Sequence, residues 1–234
     1  MGLHETAAAT LLGGERRIET AARNVTNANT PGYKREIAYS EIAEPNTSNN
    51  MPSNAVPTVS STTMANQGVL LDTGNLLDVA INGPGLMLVR DGERFAFSRG
   101  GNLGIGNEGI LVDALGRAVQ RAGGGDLELT NAAVEILADG TVLDGDVPIG
   151  TIGMFEAGDL DTKSSISATQ RDALLEADAS EFKQGMIERS NVTLSDEMVE
   201  LMRTQRQVES GAQLVRAYDQ LMSQAISTFS RSGS

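Results

Sequence analysis

The stretch Leu194–Phe229, LSDEMVELMRTQRQVESGAQLVRAYDQLMSQAISTF, decides how the rest of the chain is read. Taken every three and four residues it gives Leu194, Met198, Leu201, Gln205, Val208, Ala212, Val215, Asp219, Met222, Ile226 and Phe229. All but Gln205 and Asp219 are apolar, so the spacing describes a heptad seam. Gly211 is the one helix-weakening residue inside it, and on this reading it sits off the seam. Thr193 or Ser195 suits the N-cap, and Asp196 and Glu197 suit the positive helix N-terminus. The stretch predicts a helix of about 54 Å at about 1.5 Å per residue. A helix with one apolar stripe must bury it on something, so the question of function becomes a question of partners. Met202, Leu214, Tyr218, Leu221 and Ala225 form a second apolar strip beside the first.

A weaker version of the same spacing opens the chain: His4, Ala8, Leu11, Glu15, Ile18, Ala22 and Val25. This stripe is rich in Ala, and Gly13 and Gly14 each cost about 1 kcal/mol against Ala. The economical reading pairs this first helix with the last one, antiparallel, as a coiled-coil-like pair. Two ordinary amphipathic helices lying on one globular core fit the periodicity equally well.

Composition narrows the classes. A chain of 234 residues can bury a real core in one or two domains. It has no Cys, which removes disulfides, thiol chemistry and Cys-ligated metal. A formal charge of −13 argues against binding a nucleic-acid backbone. No run of about 18 apolar residues exists, so membrane insertion is not expected. MGLHETAAAT lacks a basic region followed by an apolar run, so no standard secretory signal is expected. The single histidine, His4, lies on a helical stripe near the chain start, and nothing places catalytic residue types in a common pocket. No enzyme activity, cofactor or metal is expected.

The first helix should stop in Asn24-Val25-Thr26-Asn27-Ala28-Asn29-Thr30-Pro31-Gly32-Tyr33-Lys34-Arg35. Asn, Thr, Pro and Gly at this density force a turn, and Pro31-Gly32 suits type II. Asn24, Asn27 and Asn29 lie on more than one face, which is more than a helix stop requires. The stretch resembles the N-terminal signature of the flagellar rod, hook and hook-associated proteins, N-N-[IL]-A-N-x-[NS]-T-x-G-[FY]-[KR]. Asn24, Asn27, Asn29, Thr30, Gly32, Tyr33 and Lys34 match it, while Arg23 and Thr26 depart from it.

From Ile37 to Thr73 the chain turns polar, with Pro45, Pro52 and Pro57 among Asn, Ser and Thr, and reads as an extended arm. From Gln67 to Gln120 short apolar runs alternate with Asn82-Gly83-Pro84-Gly85, Asp91-Gly92, Gly100-Gly101 and Asn107-Glu108-Gly109, the pattern of a β meander or small barrel. Here the resemblance is strongest: Gln67-Gly68-x-Leu70, Thr73-Gly74-Asn75-x-Leu77-Asp78-Val79-Ala80-Ile81-x-Gly83-x-Gly85, Phe97-Ser98-Arg99-x-Gly101 and Gly109-x-Leu111-Val112 look like the family's middle domain. The family's Phe-Phe after Gly85 is Leu86-Met87 here. Residues 121–170 continue in the same style. Asp139, Asp144 and Asp146 lack calcium-loop spacing and read as hairpin turns, and Gly101–Gly106 lacks the βαβ setting of a dinucleotide loop. Gln184-Gly185-Met186-Ile187-Glu188-Arg189-Ser190-Asn191-Val192 resembles the family's Q-G-x-L-E-x-S-N-V, and Glu197-Met198-Val199 and Thr204-Gln205-Arg206 match within its terminal helix. Asp161–Ala179 carries no match.

These readings give an α+β chain: a terminal helical domain from 1–35 and 185–234, its two long helices packed as a coiled-coil-like pair, an arm at 36–74 and an all-β domain at 75–184. The resemblance implies a structural subunit of the bacterial basal-body rod, of the proximal-rod type, with the distal-rod or hook type as alternatives. It implies export without a cleaved signal through the flagellum's own secretion apparatus, a place in the periplasm-spanning rod, and self-assembly with other rod and hook proteins through the terminal helices. A non-flagellar coiled-coil binding module is the alternative from outside the family. The expected assembly residues are Asn24, Asn27, Asn29, Thr30, Gly32 and Tyr33 in the motif. On the terminal helix they are Leu194, Met198, Leu201, Val208, Val215, Tyr218, Leu221, Met222, Ile226 and Phe229.

Overall fold

Ala-rich sequence before Thr26 and the long run after Leu194 each form a helix, and nearly everything described between them is strand and turn. The computed structural model describes residues 3–41, 58–129, 134–156, 165–177 and 179–232. In chain order the elements are α1 (Leu3–Thr26), β1 (Glu36–Glu41), β2 (Thr58–Thr63), β3 (Leu70–Asp72), β4 (Asp78–Asn82), β5 (Leu86–Asp91) and β6 (Arg94–Ser98). Next come β7 (Gly100–Asn102), β8 (Gly104–Ile105), β9 (Leu111–Val112), β10 (Ala118–Val119), β11 (Val134–Ile136), β12 (Thr141–Asp144), β13 (Val147–Thr151) and β14 (Met154–Glu156). Last are α2 (Ala168–Arg171), β15 (Leu175–Glu176), β16 (Glu181–Gln184), β17 (Met186–Glu188) and α3 (Leu194–Ser232). The chain divides into two compact units, Met1–Ala28 with Arg35–Met64 and Val192–Ser234, and Asn29–Lys34 with Ala65–Asn191.

The first unit holds α1, the β1–β2 hairpin and α3. Within the stretch read as a polar arm, 36–41 pairs antiparallel with 58–63, from Glu36 opposite Thr63 to Glu41 opposite Thr58. Residues 42–57 lie outside the described ones. The period-two alternation of the hairpin turns Val59 inward and leaves Ile37 and Tyr39 exposed. Arg16 fastens the hairpin to α1 by donating to Val59 O at 2.6 Å.

The expected coiled-coil-like pair does not form. α1 and α3 touch antiparallel, with Asn24 at Glu197, Gly14 at Thr204 and Val208, and Thr10 and Leu11 at Gly211. The contact is built on small residues: a Cβ on Gly14 would come within 2.3 Å of Val208 Cγ2. α3 runs 39 residues against 24 in α1, so the two cannot pair along the whole of α3. The buried stripe of α3 coincides with only part of the seam read from the sequence. It runs through Glu197, Leu201, Thr204, Val208, Gly211, Val215 and Tyr218, whereas Leu194, Met198, Gln205, Asp219 and Met222 are exposed. The stripe that packs is the one small enough for close approach to Gly14, and Gly211 lies on it.

In the second unit, β4 reads Asp-Val-Ala-Ile and is buried on both faces, lying between β16 and β7. Gly100 permits the β7 pairing: it takes φ +89°, and a Cβ there would fall 2.1 Å from Val79 O. The strands do not follow meander order. β5 takes its neighbours from β6, β10 and β14 in a seven-stranded sheet, while β11-β12-β13 form a separate three-stranded one. The mostly-β middle of the chain therefore stands, but as several short sheets joined by long-range pairing. Late strands close early ones, β16 on β4 and β17 on β3. The core gathers Val79, Ile81, Met87, Leu111, Ile152 and Phe182, each contributing about 1.5–3 kcal/mol by burial. Leu88, Phe95, Phe97, Phe155 and Ile166 form a smaller cluster, with the Arg171 guanidinium 5.0 Å from the Phe95 ring centre.

Candidate functional site: two buried carboxylates and the open face of the terminal helix

The Asn-rich motif ends α1 as its composition dictates. Asn27 donates from its side chain to Arg23 O at 2.9 Å and from its backbone at 3.1 Å. Gly32 takes φ +69° and Tyr33 N–H donates to Thr30 O at 3.3 Å, closing the Pro31-Gly32 turn. Asn29 and Thr30 stay exposed, while Asn24 is buried.

In the first unit Asn24 is the hub. Its amide donates to Glu36 O at 2.9 Å and to Glu197 Oε2 at 3.1 Å, and its Oδ1 accepts from Glu36 N–H at 2.9 Å. Arg35 Nε donates to Glu197 Oε1 at 2.5 Å, so the buried carboxylate (1% exposed) is both neutralised and hydrogen-bonded. Arg23 donates to Glu36 Oε2 at 3.1 Å, and the Glu36 carboxylate shares its cation with Glu19.

In the second unit Glu188, equally buried, plays the same part. It accepts from Lys34 Nζ at 2.5 Å, Arg99 Nε at 3.0 Å and Gly68 N–H at 2.8 Å. Arg99 also donates to Gly83 O, Gly85 O and Ile81 O, satisfying carbonyls at the β4–β5 turn. Gly32 N–H donates to Glu188 O at 2.7 Å, which ties the motif turn to β17. Burial lowers the Lys34 pKa below its ordinary value, opposed by the bond from Glu188. The consecutive cations Lys34 and Arg35 thus each clasp a carboxylate from the far end of the chain, one in each unit.

The sequence singled out Asn24 as more than a helix stop but did not single out Glu36, Glu188, Glu197, Arg35 and Arg99 as buried partners. On α3, Leu201, Val208, Val215 and Tyr218 are half-buried, and Leu194, Met198, Leu221 and Met222 are exposed. The side chains of Ala225, Ile226 and Phe229 lie outside the described residues. The outer side of α3 carries Met202, Leu214 and Leu221 at 60%, 63% and 65% exposure.

The buried ion pairs hold chain segments together and leave no open coordination position. Among the described residues no group of three His, Cys, Asp or Glu could hold a metal ion, and no helix is long and apolar enough to cross a membrane. A cleft of about 550 Å³ in the second unit is lined by Arg90, Glu108, Ile110, Val112, Leu115 and Arg117. Its cations are engaged, Arg90 by Asp126 and Arg117 by Asp113.

Fold and site together define a structural protein whose two ends fasten to each other. Residues 183–228 match the family described as flagellar basal body rod FlgEFG protein, C-terminal. The chain is 32% identical to the flagellar basal-body rod protein FlgF of Caulobacter vibrioides, over 86% of each chain. It is 29% identical to FlgF of Rhizobium meliloti over 92% of each, and 24% identical to the rod protein FlgG of Bacillus subtilis over 90% of this chain and 92% of that one. The chain belongs to the flagellar basal-body rod protein family and is a structural subunit of the bacterial flagellum.

Proposed function

We propose that the chain is an FlgF-type subunit of the rod, joined to its neighbours through the outer side of α3. The observation that carries this reading is the exposure of Leu214 and Leu221, seven residues apart on one face of α3, with Met198, Met202 and Met222 exposed elsewhere on the same helix. Apolar exposure concentrated on one helix marks an interaction site. Its partners are further copies and other rod and hook proteins. The motif residues Asn24, Asn27, Asn29, Thr30, Gly32 and Tyr33 contribute by holding the end of α1, not by meeting neighbours directly.

The chain reaches the periplasm-spanning rod through the flagellar export apparatus, and neither binds nucleic acid nor inserts in a membrane. It performs no catalysis. Support comes from the terminal motif, the family match over β17 and α3, and the engagement of every buried carboxylate described above by a cation or an amide. The test is to delete the gene, restore it in trans with an affinity tag, and isolate basal bodies. Loss of motility on deletion, recovery on complementation and tagged chain in the washed rods are expected. Full motility of the deletion strain, or rods free of the chain, would overturn the reading.

A further inference from the structure

We propose that Asn24 and Glu197 set the register in which α1 lies on α3, and that the apolar contact alone does not. The stripe of α3 facing α1 repeats every seven residues: Leu201, Val208 and Val215 in one row, Glu197, Thr204, Gly211 and Tyr218 in the other. Gly14 of α1 packs on Val208, and a step of seven residues brings it to an identical Val215. That step moves α1 by about 10.5 Å along α3. The turn at 27–33 contains enough chain to extend over that distance at about 3.3 Å per residue.

The apolar contact opposes sliding only in part: after the step Gly14 again meets a Val, while Thr10 and Leu11, which pack on Gly211, meet Tyr218. The polar contact is different, because Glu197 is the one carboxylate on the buried stripe of α3. It meets Asn24 at 3.1 Å and Arg35 at 2.5 Å in one register only. In the shifted register Asn24 faces Thr204, and Glu197 is left at the open first turn of α3. A buried Asn that finds its partner in a single alignment specifies register at some cost in stability. Asn24 is thus a positioning residue. Register also fixes how much of α3 beyond Tyr218 stays uncovered, which matters to assembly under the reading above, although the inference stands without it.

The chain contains no cysteine, so engineered pairs report register without background. A Cβ at position 211 lies 3.8 Å from the Thr10 side chain, so T10C/G211C reports the observed register and T10C/Y218C the shifted one. With Asn24 and Glu197 intact, only the first pair should oxidise to a disulfide. With Glu197→Ala, the second should rise roughly tenfold or more at the expense of the first, the change expected on losing a charge-assisted hydrogen bond. Glu197→Gln keeps an acceptor for Asn24 and should restore the first pair. Asn24→Ser, which leaves the Arg35–Glu197 ion pair in place, is the second test should the alanine variant fold poorly, and should again admit the 10/218 bond. Exclusive 10/211 linkage in both variants overturns the inference. Loss of both linkages with helix content retained supports the inference, since the apolar contact then holds α1 in no register at all.

Discussion

Lys34 Nζ lies 2.5 Å from Glu188 Oε1, joining residues 154 positions apart in the chain. Arg99 reaches the other oxygen of the same carboxylate, so one buried anion is shared by the motif turn and the link between β6 and β7. Removing the anion leaves two cations with no charge to face. Glu188→Ala should therefore cost about 3–5 kcal/mol of stability. Denaturant unfolding of the full chain, followed by strand circular dichroism, checks this, and a loss under about 1 kcal/mol, the scale of a surface pair, would contradict it.

The helix contact gives a sign test. Gly14→Ala gains about 1 kcal/mol of helix propensity. Its new Cβ would sit 2.3 Å from Val208 Cγ2, on a β-branched side chain with little rotamer freedom. Overpacking of this kind costs about 1–3 kcal/mol, so the variant should be destabilised. Gly14→Ala with Val208→Ala removes the colliding methyl and should be more stable than Gly14→Ala alone. Thermal unfolding of the parent, both single variants and the double variant reads this out, and additive effects would count against it.

What the sequence made legible follows from how local each feature is. The Pro31-Gly32 turn, the end of α1 and the turns bounding β4, β5 and β6 are set by residues within a few positions, and all lie where composition put them. The partners of β5 were not legible: β10 and β14 come from positions 118 and 154, and alternation of apolar residues carries no address for a distant strand. The stripe of α3 was misread for a different reason. Ranking positions by hydrophobicity favours Met198 and Met222, but packing against Gly14 and Thr10 selects by size, and so buries Thr204 and Gly211. The ion pairs of Glu197 and Glu188 were not legible because each counter-ion, Arg35 and Lys34, stands more than 150 residues away.

Hydrogen bonds from the Arg90 guanidinium hold the Asp126 carboxyl below its ordinary pKa, with burial opposing and Gln120 helping. A carboxyl depressed on folding adds stability above its unfolded pKa and loses it as pH falls through the folded one. The pair is partly solvent-screened, so the gain is on the order of 0.5 kcal/mol. Asp126→Asn should thus be less stable than the parent near neutral pH, and the gap should close below about pH 4, the range of an ordinary aspartate. Urea midpoints across that range check it, and a gap that widens in acid would contradict the assignment.

Gly100→Ala isolates the second unit. Its Cβ would meet Val79 O at 2.1 Å in a backbone with φ +89°, so both sterics and conformation oppose it. A loss of about 3 kcal/mol or more is expected by urea unfolding. Hydrogen exchange should rise at β4 and β7, and unchanged protection there would contradict the pairing.

The most direct test of the account concerns Leu221, which is 65% exposed on α3. Leu221→Asp should leave the purified chain folded, with circular dichroism and unfolding midpoint within about 0.5 kcal/mol of the parent, as for a surface substitution. In cells where it is the sole copy, the account requires that basal bodies lack the chain and that motility is lost. Normal motility with the variant recovered in isolated rods would mean that the outer side of α3 faces solvent, and that the terminal helix serves only its own subunit.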